Sequence, residues 1–234
     1  MLDFTRFEVL TFDCYGTLIN WEDGILACLH RILAARGKVL DDATTLRLYG
    51  DFEAEAEQGE YRSYREVLKS VVRQFGEKLG FAPTNQELNS LPESVRDWKP
   101  WPDTVAGLCE LQSRFRLAII SNIDDDLFAA TLPNLGAKFD QIITAQQAGA
   151  YKPSLKMFKL ALSRMGVSPG QVLHVGQSIY HDVLPAQSLG MSTVWVNRPS
   201  LRKGVGAVKA AEGRPDLQVS SLAELAALLR GVVA

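Results

Sequence analysis

Short runs of β-branched and aromatic residues recur along the chain, separated by polar and glycine-containing segments. Five of these runs have the length and composition of buried strands, and they occupy residues 7–12, 117–121, 139–144, 171–175 and 193–196. Helical patterns lie between them. One such pattern predicts a helix over residues 154–166 that ends at Gly166. Its apolar face would consist of Leu155, Phe158, Leu162 and Met165. Strands that alternate with helices predict an α/β fold with a parallel, Rossmann-like sheet.

Residues 19–92 instead show amphipathic helical stretches and no convincing strand. Two apolar stripes at helical spacing are the clearest of these stretches. The first consists of Ile25, Leu29, Ile32 and Leu33, and the second of Tyr64, Val67, Leu68, Val71 and Val72. We therefore predict a helical cap, residues 19–92, inserted after the first strand of a Rossmann-like core made of residues 1–18 and 93–234.

Composition and charge are those of an ordinary water-soluble globular protein. Of 234 residues, 47% are hydrophobic and 22% are charged, and the formal net charge is −2. This charge balance lacks the excess of positive charge that is typical of nucleic-acid-binding proteins. The apolar runs are too short to span a bilayer, and the charged N-terminal segment is unlike a signal peptide. We therefore expect no nucleic-acid partner, no membrane association and a cytoplasmic location.

The three cysteines, Cys14, Cys28 and Cys109, have no paired spacing, so they suggest neither a disulfide framework nor a zinc site. Cys14 adjoins Asp13 and could be considered a nucleophile. Alternation along a strand, however, turns Cys14 away from the face that presents Asp13, and free cysteine commonly packs as a small apolar residue. We therefore interpret Cys14 as a core residue.

Polar residues suited to catalysis cluster where the predicted strands end. Asp13 follows the first strand, and Lys152 opens a helix in the segment AGAYKPSLKMF. The residues that follow later strands are Ser121, Asn122, Gln177, Ser178 and Asp182. Ligands of an open parallel sheet bind beyond the carboxyl ends of its strands, so we expect these side chains to meet in one site. Singly they are ordinary turn and cap residues, and the inference rests on their joint placement.

Four of these segments resemble, in order, the motifs of the haloacid dehalogenase superfamily. DCYGT (13–17) is similar to the nucleophile loop, and IISN (119–122) is similar to the second motif. YKP (151–153) resembles the lysine motif, and VGQSIYHDVLPAQSLGM (175–191) resembles the fourth motif. The helical insert lies where that superfamily carries a cap. The resemblance therefore implies a capped Rossmann-like core with an aspartate nucleophile.

The acids of the first and fourth motifs distinguish the chemistries within this superfamily. Its phosphatases read D-x-D, in which the second acid protonates the leaving group, and acids of their fourth motif help to hold Mg²⁺. Here Tyr15 replaces the second acid, and Gln177 stands where the phosphatases have an aspartate. Asp13 and Asp182 alone supply too little anionic oxygen for a hard divalent cation. We therefore expect no metal and no other cofactor, which disfavours a Mg²⁺-dependent phosphatase.

The pattern D-x-Y-G-T is instead similar to that of the L-2-haloacid dehalogenases, which need no metal. This resemblance implies that Asp13 attacks C2 of a small carboxylic acid, displaces a halide and forms an ester that water hydrolyses. The configuration at C2 would invert. Because a halide leaves as a stable anion, it needs no general acid, and a tyrosine at position 15 is compatible with this chemistry.

The resemblance also implies roles for the other catalytic candidates. Lys152 would keep the nucleophile ionised, and Thr17 would hold its carboxylate by a hydroxyl. Ser121 and Asn122 would donate hydrogen bonds to the substrate carboxylate or to the oxyanion of ester hydrolysis. Asp182 would either orient Lys152 or polarise the attacking water, and the sequence does not separate these two roles.

We expect Tyr15 and Ser178 to contact the substrate. Three tryptophans, Trp21, Trp98 and Trp101, would form the walls of a small apolar pocket between core and cap. Packing at the hinge is the alternative explanation for the tryptophans. His181 is a further candidate for a general base, because histidine titrates near neutral pH.

Several features depart from the 2-haloacid dehalogenases. No W-R-x-x-Q-L stretch supplies a cap arginine, and Arg47 and Arg65 are only loose candidates for that position. Phe158 replaces a tyrosine six residues after the motif lysine. The segments FDCYGTLINWEDGI, ITAQQAGAYKP and SIYHD look more like a branch that includes azetidine-2-carboxylate hydrolase, in which the same carboxylate attack would open a strained ring.

The sequence therefore predicts a hydrolase that acts on a small carboxylic acid substrate through an aspartyl ester. Three alternatives stay open: a ring-opening hydrolase of the azetidine-2-carboxylate type, a Mg²⁺-dependent phosphatase, and a binding module that has lost turnover. Neither the chirality of the substrate nor its leaving group follows from the sequence. Related enzymes are often homodimers, so the resemblance is compatible with a homodimer.

Overall fold

The computed structural model of the protein describes residues 2–198, 200, 206–208 and 210–230, and in this part of the chain six parallel strands form one sheet. The strands are β1 (Val9–Phe12), β2 (Arg116–Ser121), β3 (Gln141–Thr144), β4 (Val172–Gly176), β5 (Ser192–Val196) and β6 (Leu217–Val219). Their order across the sheet is β3-β2-β1-β4-β5-β6. Because β1 pairs with β2 on one side and β4 on the other, the first strand lies inside the sheet.

The described residues also contain ten α-helices. These are α1 (Trp21–Ala35), α2 (Asp42–Ala56), α3 (Tyr64–Leu79), α4 (Asn85–Ser94), α5 (Thr104–Leu111), α6 (Asp125–Thr131), α7 (Ala145–Ala148), α8 (Leu155–Met165), α9 (Leu184–Ser188) and α10 (Leu222–Arg230). A π-helical turn, Ile179–Val183, precedes α9. From α5 to β5 the helices alternate with the strands, which lets successive strands run parallel. Over the described ranges, none of these helices combines the length and the apolar character that crossing a membrane requires.

The predicted α/β fold with a parallel Rossmann-like sheet is confirmed, and each of the five predicted strands is present. β6 was not predicted. It has three residues, of which Gln218 is exposed, so no run of apolar residues marks it in the sequence. It pairs with β5 at one edge of the sheet, where a short strand is common.

The helix predicted over residues 154–166 is present as α8 and ends at Gly166, but its buried face differs from the prediction. The buried side chains are Met157, Phe158, Ala161 and Met165. Leu155 and Leu162 are only half-buried. The helix packs against β2 and β3, and this tertiary contact buries Met157 in place of Leu155. The buried face is therefore rotated about the helix axis relative to the predicted one.

The predicted helical cap follows β1 and consists of α1 to α4. Both predicted apolar stripes are buried, the first on α1 and the second on α3. All four helices begin after residues whose side chains accept a hydrogen bond from the first turn, Asn20, Asp41, Ser63 and Thr84. Such N-caps satisfy backbone donors that the helix itself leaves unpaired, so the sequence fixes where these helices start.

Two chain segments run side by side where the cap joins the core. The backbone N–H of Asn20 donates to the carbonyl of Lys99 at 2.8 Å, and that of Trp101 donates to the carbonyl of Leu18 at 3.0 Å. This pairing lies beside the cap limit predicted at residue 19, whereas the limit predicted at residue 92 falls within α4. We retain those limits as a proposal.

A second contact fastens the cap to the core through Asp124, which precedes α6. Its Oδ1 accepts a hydrogen bond from the backbone N–H of Tyr64 at 2.8 Å, and its Oδ2 accepts one from that of Arg65 at 2.9 Å. These are the first two residues of α3, so a core carboxylate lies at the positive end of a cap helix. Asp124 is buried, and this contact therefore fixes how α3 approaches the sheet.

Candidate active site

Asp13 directly follows β1, at the carboxyl edge of an interior strand of the sheet. Its residue exposure is 8%. Oδ1 accepts a hydrogen bond from Lys152 Nζ at 2.7 Å, and Oδ2 accepts one from Thr17 Oγ1 at 2.6 Å. Both carboxylate oxygens are thus held in place. Cys14 is fully buried in the core, as interpreted from the sequence, and burial raises the pKa of its thiol.

The turn after β1 brings Thr17 back to Asp13. Gly16 has a φ of +96°, a conformation that glycine adopts without strain, and a Cβ at this position would lie 2.1 Å from Gln177 Oε1. The hydroxyl of Thr17 also accepts a hydrogen bond from the backbone N–H of Gln177 at 2.9 Å. One hydroxyl therefore links the loop after β4 to the carboxylate after β1.

Lys152 lies between two carboxylates and is 2% exposed. Its Nζ donates to Asp13 Oδ1 and Asp182 Oδ1, each at 2.7 Å, and to the carbonyl of Ile120 at 2.9 Å. An ammonium has three N–H donors, so all of them are used. Burial alone would lower the pKa of Lys152, but the charges and hydrogen bonds of the two aspartates outweigh burial and raise that pKa.

Asp182 lies on the π-helical turn after β4 and is 1% exposed. Its Oδ1 is also 3.3 Å from His174 Nε2, and its Oδ2 accepts a hydrogen bond from the backbone N–H of Ser178 at 3.2 Å. Burial acts to raise the pKa of Asp182, but Lys152 and His174 together lower it below the usual range. The pKa of Asp13 moves the other way, since burial raises it more than Lys152 lowers it.

His174 belongs to this network, although sequence reasoning did not single it out. It lies in β4, where Nε2 faces Asp182 and Nδ1 lies 2.9 Å from Thr11 Oγ1 in β1. A histidine within an otherwise apolar strand is the signal that could have identified it. His174 is thus a second polar partner of Asp182 Oδ1, besides Lys152 Nζ.

Ser121, the last residue of β2, and Asn122, which follows it, have different surroundings. Asn122 Oδ1 accepts a hydrogen bond from the backbone N–H of Lys152 at 2.7 Å, and its Nδ2 donates to the carbonyl of Lys152 at 3.4 Å. The amide thus holds the segment that presents the lysine. Ser121 is 1% exposed, and its Oγ has no hydrogen-bond partner among the described residues. Its hydroxyl is therefore available to a ligand.

A cavity of about 80 Å³ opens at this edge of the sheet, between core and cap. The predicted site residues that line it are Asp13, Tyr15, Trp21, Ser121, Asn122, Lys152, Ser178 and Asp182. Gln177 and His181 also line it. Thr17 does not line it and is linked to it through its hydrogen bond to Asp13. A pocket of this size that converges on a carboxylate is suited to a small substrate.

The structure corrects the expectation that Trp98 and Trp101 wall the pocket, since neither lines this cavity. Trp98 Nε1 donates to Ser94 Oγ at 3.1 Å, and its ring packs edge-on against Tyr15. Trp101 Nε1 donates to the carbonyl of Gly16 at 3.0 Å. Both rings pack where the two connecting segments meet, which is the alternative explanation given above.

The cap side of the cavity carries two carboxyl groups that sequence reasoning missed, Glu53 and Glu57. Glu53 Oε1 accepts hydrogen bonds from the hydroxyls of Tyr49, at 2.9 Å, and Tyr64. Burial raises the pKa of both glutamates, and the charge of Glu53 adds to the rise at Glu57. Their i, i+4 spacing in EAEAE is typical of a solvated helix face as well, so the sequence alone did not identify them.

None of the arginines in the described part of the chain lines the cavity. Arg47 forms an ion pair with Asp51 within α2, and Arg65 forms one with Asp126. The two loose candidates for a cap arginine therefore lie elsewhere.

The residues around Asp13 do not fit a magnesium site. A hard divalent cation takes several oxygen ligands, whereas the ammonium of Lys152 already lies between the carboxylates of Asp13 and Asp182. Across the residues that the structure describes, no group of three or more His, Cys, Asp or Glu side chains could hold a metal ion.

Comparisons with known proteins agree with this geometry. The family model of haloacid dehalogenase-like hydrolases matches residues 7–190. A curated (S)-2-haloacid dehalogenase of Xanthobacter autotrophicus is 26% identical over an alignment of 245 residues, which covers 96% of this chain and 96% of that protein. A glyceraldehyde 3-phosphate phosphatase of Methanothermobacter thermautotrophicus is 36% identical over 102 residues, which cover 42% of this chain and 45% of the phosphatase.

Solved structures show the same fold. The L-2-haloacid dehalogenase from Xanthobacter autotrophicus with chloropropionic acid covalently bound has a TM-score of 0.81 to this chain, at 24% identity over 97% of this chain and 100% of that one. The comparisons support a place in the L-2-haloacid dehalogenase branch, and they do not indicate the azetidine-2-carboxylate hydrolase branch.

Proposed function

The chain belongs to the haloacid dehalogenase-like hydrolase family, and from that premise we propose that it is a 2-haloacid dehalogenase-like enzyme. A carboxylate oxygen of Asp13 attacks C2 of a small carboxylic acid, and the leaving group departs with its bonding electron pair. Water then attacks the carbonyl carbon of the resulting ester, which releases the 2-hydroxy acid and restores Asp13. A halide leaves as an anion, so the first step needs no metal and no proton donor.

The observation that carries this proposal is the position of the Asp13 carboxylate at the cavity, between Lys152 and Thr17. A nucleophile must be ionised and must point at the reacting carbon. The buried ammonium of Lys152 favours the ionised form, and the Thr17 hydroxyl holds the second oxygen. Both conditions for attack are therefore supported by contacts that exist before substrate binds.

The contacts of Asp182 support one of the two roles that the sequence left open. Both of its oxygens accept hydrogen bonds, and its pKa is lowered, so it is a poor base for water. We assign it the role of orienting Lys152. Ser121 Oγ, which has no partner in the described residues, is assigned to the substrate carboxylate or to the oxyanion of ester hydrolysis.

The L-2-haloacid dehalogenase from Xanthobacter autotrophicus has been solved with chloropropionic acid covalently bound, and a covalent intermediate in this chain would agree with that structure. The test is a single turnover in ¹⁸O-labelled water with each enantiomer of 2-chloropropionate and without added metal. We expect ¹⁸O in the peptide that contains Asp13 and unlabelled oxygen in the first product, because water attacks the ester carbonyl. Label in the product alone would contradict the ester. Asp13→Asn is the matched control.

The local similarity to a glyceraldehyde 3-phosphate phosphatase favours phosphate ester hydrolysis as a second candidate. Phosphate release that depends on added Mg²⁺ would support it, and the donor set around Asp13 argues against it. A ligand that binds without product, with an affinity that Asp13→Asn leaves unchanged, would instead support a binding module. Azetidine-2-carboxylate belongs in the same substrate screen, because ring opening at C2 would use the same attack.

A further inference from the structure

The cavity contains more acid than the proposed attack on carbon requires. Four carboxyl groups line it, those of Asp13, Asp182, Glu53 and Glu57, whereas Lys152 is the one lysine or arginine among its described lining residues. All three donors of that ammonium are taken by Asp13, Asp182 and the carbonyl of Ile120. An incoming carboxylate therefore finds no cation with a donor to spare.

Two neutral donors are instead available to a carboxylate. Trp21 Nε1 and Ser121 Oγ are buried, and neither has a hydrogen-bond partner among the described residues. Trp21 is 9% exposed and Ser121 is 1% exposed, and both residues line the cavity. A buried donor without a partner is costly unless a ligand supplies the acceptor. These two groups therefore indicate where an anionic group of a ligand binds.

The two glutamates of the cap, Glu53 and Glu57, are acceptors that would be stabilised by a positively charged group of the ligand. The Glu57 carboxyl has no hydrogen-bond partner in the described part of the chain, and the charge of Lys152 acts on it across the cavity. Glu53 has one oxygen fixed by the hydroxyls of Tyr49 and Tyr64. Two neighbouring half-buried carboxyls that form no ion pair within the described ranges are suited to bind a cation.

We propose that the substrate is zwitterionic, a small carboxylic acid that also carries a protonated nitrogen. Ser121 and Trp21 bind its carboxylate, and Glu53 and Glu57 bind its ammonium. This inference rests on the proposed attack at C2 and narrows its substrate class. A simple 2-haloacid adds one more negative charge to an acidic cavity, whereas a zwitterion adds none and gives the cap carboxyls a partner.

The test measures binding without turnover, by calorimetry on Asp13→Asn. The ligand pair is azetidine-2-carboxylate and cyclobutanecarboxylate, which share a four-membered ring and differ in having NH₂⁺ or CH₂ at one position. We expect the zwitterion to bind at least about tenfold more tightly, since a half-buried charge pair contributes at least that much. Proline and cyclopentanecarboxylate, whose rings are not strained, extend the comparison to the wild-type protein.

Variants of the cap glutamates then locate the preference. Glu57→Gln should reduce the preference for the zwitterion over the cyclobutane analogue. The double variant Glu53→Gln with Glu57→Gln should abolish that preference. Glu55→Gln is the matched control, because Glu55 is exposed on the same helix, and it should leave the preference intact. Equal binding of the two ligands, or a preference that survives the double variant, would overturn the inference. Absence of ¹⁸O in Asp13 after a single turnover of whichever compound the protein converts, 2-chloropropionate or azetidine-2-carboxylate, would instead overturn the proposed function and leave the ammonium site standing.

Discussion

Lys152 Nζ lies 2.7 Å from Asp13 Oδ1, and this ion pair is almost completely buried. The same nitrogen is 2.7 Å from Asp182 Oδ1, so one cation serves two carboxylates that come from different strand ends. The arrangement couples the stability of the sheet edge to the ionisation of the proposed nucleophile.

Lys152→Met should destabilise the fold by about 3 to 5 kcal/mol near pH 8, because it leaves two buried carboxylates without a cation. The loss should be smaller near pH 4, where these carboxylates can take up protons. Urea unfolding of wild type and variant at the two pH values measures both quantities. Lys159→Met, at an exposed position of α8, is the control and should change little. Equal losses in the two variants would contradict the role of the ion pair.

Thr17→Val should lower kcat by about two orders of magnitude, because the Asp13 carboxylate loses the hydroxyl that holds Oδ2 at 2.6 Å. Thr17→Ser keeps that hydroxyl and should retain most of the rate. Thermal unfolding of both variants separates a rate effect from a folding defect. If Ser and Val reduce kcat equally, the hydroxyl is not what orients the nucleophile.

Trp21 and Trp98 provide a matched pair of ring substitutions. Trp21→Phe removes the buried donor at the cavity, so KM should rise by about tenfold or more, as expected for a lost hydrogen bond to a charged group. Trp98→Phe removes a donor to Ser94 outside the cavity and should affect stability rather than KM. Steady-state kinetics and thermal unfolding of both variants make the comparison. A larger rise in KM for Trp98→Phe would restore the original prediction for that residue.

For a substrate without an ammonium, such as 2-chloropropionate, the dependence of kcat/KM on pH should show one acidic limb. Attack requires ionised Asp13, and burial raises the pKa of this carboxyl, so activity should fall with decreasing pH already above the usual aspartate value of about 4. The pKa of Lys152 is raised, so it should produce no alkaline limb below its usual value of about 10.4. The charge of Asp182 contributes to the rise at Asp13, and Asp182→Asn should therefore move the acidic limb to lower pH. An unchanged limb would argue against that coupling.

The core half of the site could be predicted from the sequence because it depends on strand ends. Asp13, Ser121 and Asp182 lie at or beyond the ends of different strands, and parallel strands bring their carboxyl ends to one edge whatever the details of packing. Lys152 could be added to this group because the segment YKP resembles the lysine motif of the superfamily. The hydrogen bonds that fix their exact orientation, such as the one between Thr17 and Gln177, follow from that placement.

The cap half could not be predicted in the same way. Which face of α2 turns towards the sheet depends on the pairing at Asn20 and Lys99 and on the contact of Asp124 with α3. Helical periodicity shows that a helix is amphipathic, but it does not show which polar residues border a neighbouring domain. Glu53 and Glu57 were therefore missed, and Trp98 and Trp101 were assigned to the wrong surroundings.

Glu57→Gln should raise the free energy of unfolding at pH 8. The pKa of Glu57 in the folded protein is raised, chiefly by burial, above its value of about 4.3 in the unfolded chain. The folded state therefore holds the proton more tightly, and the wild type loses stability as pH rises from the unfolded pKa towards the folded one. Glutamine has no such titration, so its advantage should be small near pH 4 and complete above the folded pKa.

Urea unfolding of Glu57→Gln and of wild type from pH 4 to pH 8 measures this difference directly. Glu55→Gln should show no comparable trend, because Glu55 is exposed on the same helix. A stability difference that shrinks as pH rises would mean that the Glu57 carboxylate is stabilised in the empty cavity. In that case a cation supplied by the protein already satisfies it, and the cap would no longer require one from the substrate.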